Sequence, residues 1–185
     1  MGQLNDYKIA FRGLKNGTHT FEIAIDDKLF EAFENADVQG GTGRAEVAMD
    51  RSETQLVCDV KIEADVVVPC DRCLEPCHLP IRYEGRLVVK FSEEELEYDG
   101  EVLWLFPGES EVDLSHYIYE SIILALPYQR VHAEGDCDPT MLARFTIGTE
   151  AELEAIEERA AHEEEGKKSE WDKLAALKAQ MEQKD

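Results

Sequence analysis

Two segments of one-sided alternation, Gln55–Val68 and Ile81–Phe91, flank a cysteine knuckle, and together they constrain the fold more than anything else in the chain. In the first, Leu56, Cys58, Val60, Ile62 and Ala64 share one face, while Gln55, Asp59, Lys61 and Glu63 share the other. In the second, Ile81, Tyr83, Leu87, Val89 and Phe91 oppose Arg82, Glu84, Arg86 and Lys90. Successive side chains of a strand point to opposite sides, so this pattern demands strands with one dry and one wet face, the mark of an antiparallel sheet. The two segments are expected to pair, with Pro69 and Pro80 ending the ladder on either side of the knuckle. Cys58 lies on the apolar face and reads as structural.

The rest of the chain supplies smaller elements. Tyr7, Ile9 and Phe11 alternate, as do Phe21, Ile23 and Ile25 after the Asn16-Gly17 turn signal, which makes a hairpin candidate. Asp26-Asp27 caps a short helix through Leu29, Phe30 and Phe33 that ends near Asn35, and strand alternation resumes from Ala45 to Met49. Gly40-Gly41-Thr42-Gly43 matches no complete phosphate-binding pattern and reads as a loop. After an acidic loop, Ser92–Gly100, a short strand Val102–Phe106 is closed by Pro107-Gly108. Asp113 then opens the strongest helix, with Leu114, Tyr117, Ile118, Ser121, Ile122 and Ala125 on one stripe and Pro127 as its stop. So apolar a stripe must cover a sheet face. The expected fold is therefore α+β: an antiparallel sheet, barrel-like or open, packed by one main helix. The domain spans residues 1–148. Residues 149–185 form an acidic and amphipathic helical tail, either a partner-binding segment or partly disordered, with helices opened by Thr149-Glu150-Ala151-Glu152 and by Ser169-Glu170-Trp171-Asp172.

Charge narrows the range of partners. The net charge is −22. Residues 150–166 hold eight acids and one Arg, residues 167–185 hold five Lys and four acids, and the remainder leaves −16 on residues 1–149. Neutralisation of phosphates by Lys and Arg supplies most nucleic-acid affinity, so extensive direct RNA contact is disfavoured and highly basic proteins are the natural partners. With no long apolar run and no basic-then-apolar N-terminus, neither a membrane span nor a secretory signal is expected, and the chain reads as cytoplasmic. Five cysteines in a reducing compartment point to metal or packing rather than disulfides.

The knuckle is Pro69-Cys70-Asp71-Arg72-Cys73-Leu74-Glu75-Pro76-Cys77. A turn holding C-x2-C brings two thiolates within reach of one ion, and a closed zinc site needs two donors more. Cys77 and Cys137 complete a four-thiolate set, with His132 as the substitute if Cys77 points away. The alternative is a set of reduced thiols in a tight turn. A redox role needs a helix starting at the motif, which Pro76 blocks. No catalytic triad, paired carboxylate or nucleophile elbow is visible, and no small-molecule substrate is implied.

Two passages, Val68-Pro69-Cys70-Asp71-Arg72-Cys73-Leu74-Glu75-Pro76 and Val112-Asp113-Leu114-Ser115 through Glu120-Ser121-Ile122-Ile123-Leu124-Ala125-Leu126-Pro127, together resemble the bacterial YceD family, also called DUF177, the large ribosomal RNA subunit accumulation proteins. The closing Glu170-Trp171-Asp172-Lys173-Leu174 is similar to that family's last segment. The resemblance implies a non-enzymatic role in accumulation of large-subunit (23S) rRNA, and so in ribosome biogenesis. It also implies a zinc site in many members, of which Cys70 and Cys73 match the first cysteine pair and Cys137 one of the second. Many members are encoded beside a small basic ribosomal protein, which implies a protein client. Combined with the charge, the expectation is an acidic assembly factor that contacts a basic ribosomal protein or a pre-50S intermediate. The alternatives are a direct rRNA-binding factor using Arg72, Arg82 and Arg86, and a zinc-dependent enzyme with an open metal position.

Overall fold

Alternation in the middle of the chain translates directly into a sheet. In the computed structural model, which describes residues 4–33 and 37–143, the elements in chain order are β1 (Lys8–Ala10), β2 (Gly17–Ile25), α1 (Asp27–Phe33), β3 (Gly40–Arg51), β4 (Gln55–Pro69), β5 (Pro76–Phe91), β6 (Val102–Leu105), β7 (Glu111–Asp113), α2 (Ser115–Leu124) and α3 (Pro139–Leu142). A short 3-10 turn, Asn5–Tyr7, precedes β1. The chain divides into two units, Met1–Pro139 and Thr140–Asp185. The tail helices expected beyond residue 148 lie outside the described residues.

The main sheet has five strands in the order β2-β3-β4-β5-β6, antiparallel except for the β5–β6 pair, and it does not close into a barrel. The fold is α+β, with the antiparallel sheet read from the alternation. Central β4 is buried at every second residue from Leu56 to Val68, and its other face is polar. The dry face is covered by α2, whose Tyr117, Ile118, Ser121 and Ile122 are buried, and by Ile9, Phe11 and Val112 from β1 and its neighbourhood. Just ahead of α2, the Asp113 carboxylate accepts the Ser115 N–H at 2.9 Å. Tyr83 of β5 explains the glycine two residues on: a Cβ at Gly85 would occupy the space of the Tyr83 ring, which lies along the strand and brings its hydroxyl to 3.2 Å from that of Tyr117.

Three sequence expectations are corrected. Tyr7, Ile9 and Phe11 do not form a hairpin with β2. Instead β1 pairs with β7 (Lys8↔Asp113, Ile9↔Val112), and β2 pairs along all nine residues with β3. Periodicity specifies a face, not a mate, and β3 is the neighbour long enough to satisfy β2. The glycine run Gly40–Gly43 is the start of β3 rather than a loop. A Cβ at Gly41 would lie 3.1 Å from the Phe30 ring and 2.8 Å from the Asp65 carbonyl oxygen, so glycine is what lets α1 settle onto the sheet, where Asp27 accepts the Gly41 N–H at 2.9 Å. Finally, Pro80 does not end the ladder: β4 and β5 remain in register through Asp65↔Pro80 to Pro69↔Pro76. At this height β5 is an edge, because β6 joins it only at Val88–Phe91, and a residue with no amide proton breaks no bond on the open side.

Candidate metal centre

The β4–β5 ladder carries the knuckle at its tip. The loop closes on itself, with the Cys70 N–H donating to the Glu75 carbonyl at 2.9 Å and the Leu74 N–H to the Cys70 carbonyl at 2.9 Å. Leu74 sits at φ 64°, a left-handed conformation that glycine adopts more readily, and its side chain is exposed. This sharp turn aims both thiols inward, and Cys70 and Cys73 are buried at the tip of a hairpin.

The second half of the site arrives from beyond α2. Asp71 and Arg130 clasp each other: the Asp71 N–H donates to the Arg130 carbonyl at 2.8 Å, the Arg130 N–H donates to the Asp71 carboxylate at 2.8 Å, and the Arg130 guanidinium lies 3.4 Å from the same carboxylate. A further ion pair joins Arg130 to Asp37 at 3.5 Å. With the chain pinned there, His132 and Cys137 fall beside the knuckle. His132 Nδ1 lies 3.4 Å from Cys73 Sγ and 3.8 Å from Cys137 Sγ, and Cys70 Sγ lies 3.9 Å from Cys137 Sγ. The ligand atoms of Cys70, Cys73, His132 and Cys137 all lie within 4.8 Å of one another.

These spacings suit a tetrahedral metal. Zinc bond lengths place two sulfurs about 3.8 Å apart, and a sulfur and a nitrogen about 3.5 Å apart, around a common ion. The ring orientation fits as well. His132 Nε2 is 3.0 Å from the Pro76 carbonyl, so a proton there donates to it and leaves the Nδ1 lone pair facing the thiols. A carbonyl that accepts from the far ring nitrogen and so sets the tautomer is characteristic of metal-binding histidines. The same Pro76 hydrogen bond is the chief reason the His132 pKa is raised, with Cys70 adding to it. At Cys70, burial is the largest influence and raises the pKa, but N–H groups of Cys73, Arg72 and His132 outweigh it and hold the thiol down at about 6. Burial pushes Cys137 up to about 11.

Of the five candidates named from sequence, Cys70, Cys73, Cys137 and His132 converge, and Cys77 does not join the group. Cys77 is buried on β5, its sulfur 4.0 Å from the His78 carbonyl, and burial first, then the neighbouring thiols, raises its pKa. The last residue of the knuckle and the second of β5, it belongs to the strand and follows the strand's alternation. Cys58 is fully buried in β4, and burial raises its pKa to about 12. Sequence reasoning missed Asp71 and Arg130, which bring the two halves together; an acid inside C-x2-C is a signal too weak to be read without its partner. Four converging donors are the number that closed structural zinc sites use.

Elsewhere, the wet face of the sheet is a lattice of opposed charges. Arg86 bonds Asp59 at 2.7 and 3.3 Å, Arg44 bonds Glu63 at 3.0 Å, and Lys61 lies 3.3 Å from Glu84. Arg82 stands opposite Glu63 in the ladder. Glu93, Glu94, Glu95, Glu97 and Glu101 are exposed and make no ion pair among the described residues. No helix among the described residues is long and apolar enough to cross a membrane.

A mostly antiparallel five-stranded sheet, a covering helix and a cysteine-histidine cluster at a hairpin tip, whose ligand atoms could hold a metal ion, define a small α+β protein. A family model described as "Large ribosomal RNA subunit accumulation protein YceD" matches residues 58–178, a span that takes in most of β4, the knuckle, α2 and both halves of the cluster. The chain belongs to the YceD family, whose name implies a role in accumulation of large-subunit ribosomal RNA. No curated protein and no solved structure matches it.

Proposed function

We propose that this protein acts in large-subunit ribosome biogenesis as a non-enzymatic acidic assembly factor. Its role is to hold a basic ribosomal protein, free or on a pre-50S intermediate. One observation carries the reading: Arg44, Lys61 and Arg86 on the wet sheet face are already paired with carboxylates, while the acids of residues 93–101 face solvent without ion pairs among the described residues. Such a surface presents carboxylates where RNA would present phosphates, and with a net charge of −22 it steers cationic polypeptide inward. The runner-up, direct rRNA contact through Arg72, Arg82 and Arg86, would require Arg86 to leave Asp59 and Arg82 to act beside Glu63.

Zinc has a structural part in this reading. Cys70, Cys73, Cys137 and His132 are the residues that would hold it, and the ion would supply the attraction that draws the deprotonated thiols together and locks the loop after α2 onto the β4–β5 tip. Elemental analysis of protein purified without chelator tests this, with one equivalent of zinc expected.

The functional test is capture on immobilised full-length protein at low and high salt, with purified ribosomal proteins and naked rRNA offered together. A basic ribosomal protein is expected to be retained at low ionic strength and released as salt screens the surface charge. Recovery of naked rRNA with no basic protein would overturn the reading.

A further inference from the structure

Strand β2 is the first strand of the main sheet, and its outer side is open for most of its length. It pairs only with β3, and among the described residues no backbone hydrogen bond reaches Gly17–Ile25 from the other side. Tyr7 closes only the far end, where its hydroxyl lies 3.4 Å from the Asp26 nitrogen. Soluble proteins protect such edges with Pro, Lys, bulges or very short strands. Here the edge runs for nine residues, Gly-Thr-His-Thr-Phe-Glu-Ile-Ala-Ile, with no Pro, no Lys and continuous one-to-one register with β3. The shortness that protects β6, with four residues, at the opposite end is absent.

Two side-chain features say what the edge is suited to receive. On the wet face Glu22 stands directly opposite Glu46 in the ladder, a like-charge pair that destabilises a sheet unless a cation is near. Glu46 lies 3.7 Å from Arg44, whereas Glu22 makes no ion pair among the described residues. On the dry face, His19 and Phe21 are only half-buried while Ile23 and Ile25 are buried, so the apolar flank beside Phe21 is partly exposed. An added strand would meet both needs at once, because its alternate side chains face alternate sides of the sheet.

We propose that the β2 edge is the docking site for an extended segment of a basic protein, which adds antiparallel or parallel to β2 with basic side chains opposite Glu22 and apolar ones against Phe21. The proposal rests on the cationic-client reading above and names its surface. A second copy of this chain would meet the same backbone groups, but each copy carries −22 and would bring Glu22 towards more carboxylate.

The test is amide hydrogen exchange by NMR on the full chain. The probe is a synthetic nine-residue peptide in which lysine alternates with valine. A peptide of the same composition, with lysines and valines in separate blocks, is the control. At ten times the dissociation constant, alternate amides of residues 17–25 are expected to exchange about tenfold more slowly with the alternating peptide. The block peptide should leave them unchanged. Glu22→Lys, at an exposed position, is expected to weaken the alternating peptide about fivefold. Three results would overturn the proposal. The first is peptide binding that protects other amides and leaves β2 unchanged. The second is equal protection by the block peptide. The third is protection of β2 that grows with protein concentration and needs no peptide, which would make the edge a self-interface. Any of these leaves the cationic-client reading standing if the salt-sensitive capture of a ribosomal protein succeeds; failure of that capture removes the reading itself.

Discussion

Replacing His132 by Ala and, separately, Cys77 by Ala distinguishes the proposed ligand set, Cys70, Cys73, His132 and Cys137, from the one that cysteine count alone would choose. Metal that binds the folded state stabilises it by RT ln(1 + [M]/Kd), about 4 kcal/mol when free metal exceeds Kd a thousandfold. Losing a group that only hydrogen-bonds a ligand reduces metal affinity about 10–100-fold, so loss of a direct donor is expected to cost at least about 100-fold. In His132→Ala, with Nδ1 no longer 3.4 Å from Cys73 Sγ, a thousandfold excess becomes about tenfold. The metal-dependent stabilisation then falls to about 1.4 kcal/mol. Cys77→Ala removes a buried thiol outside the cluster. It should lower stability by about 1 kcal/mol with and without metal, leaving the difference of about 4 kcal/mol intact. The assay is urea unfolding followed through NMR resonances of β4 and β5, in zinc and in chelator, with zinc content measured in parallel. A Cys77→Ala protein that loses its metal while His132→Ala keeps it would refute the assignment, as would a wild-type protein indifferent to chelator.

Asp71→Ala removes the carboxylate that receives the Arg130 N–H at 2.8 Å, and it should weaken metal binding 10–100-fold without touching a ligand; unchanged affinity by competition titration would show that the clasp is dispensable. Gly43→Ala would place a Cβ against the Glu63 carbonyl and 2.6 Å from the Ala64 Cα, both backbone atoms. It should therefore cost about 1–3 kcal/mol in urea unfolding, whereas Gly13→Ala, with nothing within 4 Å, should change stability by less than about 0.5 kcal/mol. The hydrogen bond from Arg86 holds the Asp59 carboxyl below its ordinary pKa. Its stabilising contribution is then present above the unfolded-state value, near 3.9, and is lost as pH falls through the lower folded value. Carboxyl NMR should show the Asp59 midpoint rising towards the ordinary range in Arg86→Gln, and an unmoved midpoint would mean that the pair is not the cause.

Strand character was legible wherever one face had to be dry. Leu56 to Ala64 and Ile81 to Phe91 declare their faces because a two-residue period has one physical cause, and the Leu114 to Ala125 stripe declares α2 in the same way. The choice of strand partner was not legible. Tyr7-Ile9-Phe11 pairs with β7, a hundred residues away, and a face pattern holds no information about which edge will meet it. The glycines of β3 read as a loop because their reason for being there, Phe30 pressing on one side and the Asp65 carbonyl on the other, lies in other elements.

The candidate site divides along the same line. Local sequence was enough to place two thiols at a hairpin tip, since C-x2-C between two alternating segments leaves the turn nowhere else to go. The sequence also offered Cys137, with Cys77 or His132 as the fourth candidate, and only the tertiary structure decided for His132 over Cys77. Cys77 is near in sequence, but the strand's pleat fixes its direction; His132 and Cys137 are distant, but the Asp71–Arg130 clasp and the Pro76 carbonyl carry them in. Direction and long-range closure belong to the packed chain, because a side chain's aim is set by its own backbone and its neighbours are set by everyone else's.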